Sequence, residues 1–221
     1  MIVRTLLKRG SDHKNFAEDS IVYQELDNFL YACVFDGCSK GIESHFASTL
    51  FTKTFRDAIM RLNHVFDNST ASLESQAKML IFQMGRKVWE TKNLLNLNPI
   101  ELMSTIILCI VDKNTRNCYI VAFGDGYYRV DGVENFIKNT KFANEDSGEN
   151  KPDYIAYNLE NIQSYSDFEL IFSQNPERHH FENVTDISIS TDGMNTFAKF
   201  KQVDETIDPV EFLVKDDNWM G

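Results

Sequence analysis

The stretch Asp19-Ser-Ile-Val-Tyr-Gln-Glu-Leu-Asp27-Asn28-Phe-Leu-Tyr-Ala-Cys-Val-Phe-Asp36-Gly37 decides the reading of the fold. Residues 21–26 and 29–35 are rich in β-branched and aromatic side chains, and Asp27-Asn28 between them suits a short turn. Strands joined in this way pair residues whose numbers sum to 55, so Asp19 faces Asp36. Like charges directly opposite each other destabilise a sheet. A cation between them removes the conflict. Glu18 sits beside Asp19 at the same sheet end, and Gly37, with no side chain, lets its carbonyl approach a ligand.

Beyond this hairpin, Gly37-Cys38-Ser39-Lys40-Gly41 breaks the pattern, and a helix is predicted to carry Ile42, Phe46, Leu50, Phe55, Ile59 and Leu62 on one face. Ser72 caps a second helix whose apolar face holds Leu73, Ala77, Leu80, Ile81, Met84 and Val88. Residues 104–112 and 118–123 form another hairpin, and residues 127–130 and 133–137 flank the turn Asp131-Gly132. The polar stretch 143–153 reads as an exposed loop, and 167–172 and 186–190 read as further strands. Short helices are expected from Asp192-Gly193 to Phe200 and over 209–214. Strand pairs on either side of two long helices predict an α+β fold with antiparallel sheets.

Composition narrows the function. With 33 acidic against 22 basic side chains, a net charge of -11 in 221 residues argues against nucleic-acid binding, which needs a basic face. A hydrophobic fraction of 43% with 17 Phe and 8 Tyr fills a core. The longest apolar run, residues 106–111, is far below the ~20 residues of a membrane helix. The N-terminal residues have no apolar stretch of secretory length, so the expectation is a soluble, cytoplasmic protein without a membrane partner. Cys33, Cys38, Cys109 and Cys118 form no C-x-x-C pair and read as reduced core thiols. His45 and His64 read as structural, and His179-His180 as a loop pair.

Apolar strands run into an acid followed by Gly three times, at Asp36-Gly37, Asp125-Gly126 and Asp192-Gly193. Each alone is ordinary turn chemistry, as Asp131-Gly132 is. Together with Glu18-Asp19 in register they point to an oxygen-only metal site, which suits Mg²⁺ or Mn²⁺ over Zn²⁺.

The order of these pieces resembles the metal-dependent serine/threonine phosphatases of the protein phosphatase 2C family. They are Ala17-Glu18-Asp19-Ser20, Val34-Phe35-Asp36-Gly37, Val121-Ala122-Phe123-Gly124-Asp125-Gly126, Ser190-Thr191-Asp192-Gly193 and Asp216-Asp217-Asn218. The resemblance implies one domain over residues 1–221, a four-layer αββα sandwich of two antiparallel sheets flanked by helices. It implies that Asp36 bridges two metals and that Gly37 lends its carbonyl. Asp192 and Asp217 complete one metal, and Glu18 and Asp19 hold the other directly or through water. Asp125 with Asp192 holds a third, weaker ion. Lys14 falls where the family carries a phosphate-contacting Arg, and Ala17 where it carries Asn. Asp36, Asp19 and Lys14 are then the catalytic candidates. His13 is either a general acid toward the leaving group or a solvated loop residue. Two divalent ions a few Å apart activate water and clamp phosphoryl oxygens, with no protein nucleophile. The implied reaction is hydrolysis of phosphoserine or phosphothreonine on a phosphorylated protein substrate by a monomer. The alternative is a catalytically silent relative that serves as a binding scaffold.

Overall fold

A computed structural model describes residues 2–7, 16–65, 71–138 and 152–193. The opening hairpin folds as its register demands. Strands β1 (Asp19–Leu26) and β2 (Phe29–Gly37) pair antiparallel with Asp19 opposite Asp36, and Asp27 takes φ 51° in the turn. β2 pairs with β3 (Ser104–Asp112), and β3 with β4 (Cys118–Phe123). One residue, Gly124, separates β4 from β5 (Asp125–Val130), which turns at Asp131-Gly132 into β6 (Val133–Lys138). The chain later adds β7 (Glu177–Phe181) to β4 and β8 (Ile187–Ser190) to β5. The result is a five-stranded sheet, β1-β2-β3-β4-β7, and a three-stranded sheet, β6-β5-β8.

The two faces of the larger sheet explain why β3 is apolar at nearly every position. Ile106, Leu108 and Ile110 point to a helical layer, while Ile107, Cys109 and Val111 point to the second sheet. The helical layer contains α1 (Ser44–Val65) and α2 (Leu73–Leu95), with Phe51, Phe55, Ile59, Leu80, Ile81, Met84 and Val88 all fully buried against the sheet. Ser72 caps α2 as expected, accepting a hydrogen bond from the Ser75 amide. Between the sheets, Leu30, Val34 and Ile120 meet Tyr128, Val130 and Ile137. The fold is thus α+β, a sandwich of two antiparallel sheets with helices packed against the larger one. No described helix is long and apolar enough to cross a membrane.

Three sequence expectations change. Residues 167–172 are not a strand but part of α3 (Tyr165–Gln174). Phe168 and Phe172 lie one turn apart and fully buried, and Ser164 and Asp167 form a reciprocal cap that starts the helix. His179 and His180 lie in β7 and not in a loop, because the buried β4 needs a partner along its open edge. Ile42 does not join the apolar stripe. It precedes α1 and is 90% exposed. Cys33, Cys109 and Cys118 are buried free thiols as expected, whereas Cys38 is only half-buried. The expected loop 143–153 is described only at its end, the expected helix from Asp192-Gly193 to Phe200 only at 192–193, and the expected helix over 209–214 lies outside the described residues.

Candidate metal centre

The strand ends bring the acids together. β1 begins with Asp19 and β2 ends in Asp36-Gly37, so the hairpin register sets these two side by side. Thr105, near the start of β3, is the next residue along the sheet, opposite Asp36. Its hydroxyl donates to Asp125 Oδ1 at 3.3 Å, tying the first residue of β5 to the larger sheet. This approach depends on Gly124, which has φ +92° and lies so close that a Cβ there would be 2.6 Å from Thr105 Oγ1. From the opposite side β8 delivers Asp192-Gly193, where a Cβ on Gly193 would come within 3.5 Å of Asp19 Oδ2. Asp19, Asp36, Asp125 and Asp192 therefore meet where the ends of the two sheets face each other.

The electrostatics follow from that meeting. Burial pushes the Asp36 carboxyl up to about 9, and the charges of Asp19, Asp192 and Glu18 add to the effect. Asp36 also shares a hydrogen bond with Asp192. Asp125 is raised by burial and then by Asp192, against the opposing hydrogen bond from Thr105. A buried carboxyl in this state takes up either a proton or a cation. The all-oxygen donor set fits a hard divalent ion in its chemistry. In its geometry, no three His, Cys, Asp or Glu side chains among the described residues form a ready-made cage, so the acids would have to draw in around an ion.

Glu18 is placed differently from the other acids. Ser39 Oγ donates to its Oε2 at 2.8 Å, and Ser44 Oγ donates to its Oε1. Its backbone carbonyl accepts from the Gly37 amide at 3.2 Å. A Cβ on Gly37 would collide with the Ser44 carbonyl oxygen at 1.8 Å, so only glycine lets α1 start this close to the hairpin. Lys14, His13 and Asp217, named from the sequence, lie outside the described residues. His45 stacks on Phe16 with ring centroids 4.2 Å apart. His179 bonds Glu177 at 2.8 Å in the edge strand.

Sequence reading did not anticipate the two serines on Glu18 or the tyrosine at the site. Tyr154, 9% exposed, has a hydroxyl raised by burial and then by Cys38, Asp125 and Asp36, which places it beside the acids. Ser39 and Ser44 lie 21 and 26 residues from Glu18 in sequence and gave no spacing signal for the contact. Tyr154 lies far along the chain and carried no such signal.

No family model matches the chain, and no curated protein does. Solved structures do match. A C. elegans sex-determining protein aligns at TM-score 0.57 and 14% identity over 87% of this chain and 52% of that one. PppA, a regulatory component of the type VI secretion system in Pseudomonas aeruginosa, aligns at 0.53 and 16% identity over 84% and 74%. The catalytic domain of the serine/threonine protein phosphatase PstP, in complex with two manganese ions, aligns at 0.50 and 16% identity over 85% and 75%. At these identities the likeness is one of fold. The chain has the phosphatase 2C fold.

Proposed function

We propose that this chain is a divalent-metal-dependent phosphatase acting on phosphoserine and phosphothreonine in proteins. Asp19, Asp36, the Gly37 carbonyl and Asp192 would hold two Mn²⁺ or Mg²⁺ ions, with Asp125 and Asp192 serving a third. Glu18 and, outside the described residues, Asp217 complete the set. The carrying observation is Asp36, a half-buried carboxyl facing Asp19 across a sheet and hydrogen-bonded to Asp192. A scaffold has no evident need for acids gathered at this density.

Bound ions of this kind lower the pKa of a coordinated water and neutralise phosphoryl oxygens. The chain's own residues prepare the place. Asp19 and Asp36 face each other across the hairpin, and Thr105 fixes Asp125. Lys14 would attract the phosphate dianion as a point charge.

The test is turnover of p-nitrophenyl phosphate and of a phosphoserine peptide by the purified chain. Activity is expected with Mn²⁺ or Mg²⁺, none with EDTA, and a loss of more than about a hundredfold in Asp36→Asn. The absence of a ready-made cage among the described residues favours a second reading, a binding module on the same fold. A folded parent that binds the phosphopeptide, yet turns over nothing with any divalent ion, would establish that one instead.

A further inference from the structure

Glu18 carries two hydroxyl donors, one on each carboxylate oxygen, and both come from the segment that joins β2 to α1. Ser39 is exposed on that segment, and Ser44 is the first residue of α1. The segment is fastened at other points too. The Cys38 amide donates to the Met103 carbonyl at 2.9 Å, and the Gly41 amide to the Cys38 carbonyl at 2.9 Å. The Gly37 amide donates to Glu18 O, and the Ser44 carbonyl packs onto Gly37. Glu18 is therefore bound by backbone to Gly37 and by side chain to the start of α1. Its neighbours in sequence and in space, Asp19 and Gly37, are the residues offered to a cation.

We propose that Ser39 and Ser44 are positioning residues that act through Glu18, fixing the metal-facing end of the first hairpin and holding the Glu18 carboxylate in one orientation. The proposal rests on the metal-dependent reading above. A carboxylate held by two hydroxyls keeps its orientation, and a charge-assisted hydrogen bond is stronger than a neutral one. With the hydroxyls removed, the carboxylate loses two donors that fix its orientation, and the hairpin end can loosen. Either change spoils the arrangement an ion has to complete.

The experiment is Mn²⁺ titration of the full chain by calorimetry, beside metal-free melting curves. The variants are Ser39→Ala, Ser44→Ala, the double variant, Ser44→Thr, and the same serine changes in a Glu18→Gln background. The double variant is expected to bind Mn²⁺ about tenfold more weakly than the parent. Ser44→Thr, which keeps the hydroxyl, restores near-parent affinity, and the serine changes have no further effect once Glu18 is Gln. A parental Kd in the double variant overturns the proposal, as does a serine effect of equal size in both backgrounds. Ser39 is exposed, so Ser39→Ala supplies a folded variant with the same direction of effect even if Ser44→Ala does not fold. A parent that binds no Mn²⁺ overturns the metal reading itself and this proposal with it. A parent that binds Mn²⁺ alongside unaffected variants overturns the clamp alone.

Discussion

Asp36 concentrates the electrostatic problem in one side chain. Its folded pKa of about 9 stands above the unfolded value near 4, so the metal-free folded state holds a proton that the unfolded chain releases. The contribution of Asp36 to stability is then fully present below about pH 4 and is lost as pH rises toward about 9. In EDTA, the melting temperature should fall between pH 6 and pH 8.5. Asp36→Asn should flatten that slope, because an amide has no proton to lose. An equal slope in the parent and Asp36→Asn would place the pH dependence elsewhere. The pairing of Asp19 with Asp36 could be read from residue numbers because an antiparallel ladder has fixed register once its turn is known. The Ser39 and Ser44 contacts could not, since they depend on how an irregular segment bends back over Glu18.

Between elements, the clearest polar tie is Tyr31 in β2, whose hydroxyl donates to Gln76 Oε1 in α2 at 2.5 Å with both residues fully buried. Tyr31→Phe leaves the Gln76 oxygen without its donor, and urea denaturation should register a loss of about 1–3 kcal/mol. Adding Gln76→Met to Tyr31→Phe should recover part of that loss, because it removes the orphaned acceptor, while the Ala71 carbonyl gives up the bond it accepts from Gln76 Nε2 at 3.1 Å. A double variant as unstable as Tyr31→Phe would mean that packing, not the hydrogen bond, is what matters. The same elements show what sequence periodicity can and cannot resolve. The three hairpins were legible because each has turn chemistry between alternating or apolar runs. α3 was misread as a strand because its short apolar run fits either period, and the deciding signal was the Ser164–Asp167 cap. β7 was missed because Glu177-Arg-His-His-Phe181 is polar on one face and owes its strand form to pairing with β4.

At the scale of the molecule, the acids come from both sheets, Asp19 and Asp36 from the larger and Asp125 and Asp192 from the smaller. An ion held by both groups binds the folded form alone, so a hundredfold excess over Kd should add about 2.7 kcal/mol of stability. Millimolar Mn²⁺ should raise the melting temperature, and an unchanged curve would remove the metal centre. The single-residue passage at Gly124 gives this a local consequence. The three-stranded sheet is joined to the larger one by that short link, by the 182–186 segment between β7 and β8, by the Thr105–Asp125 bond and by the apolar layer between them, and among the described residues β6 and β8 are its edges. An ion shared by Asp19 and Asp36 on one sheet and Asp125 and Asp192 on the other would add a further tie at that end and oppose local opening of the smaller sheet. Amide deuterium uptake should slow on adding Mn²⁺ over Tyr127 to Val130 and Ile187 to Ser190.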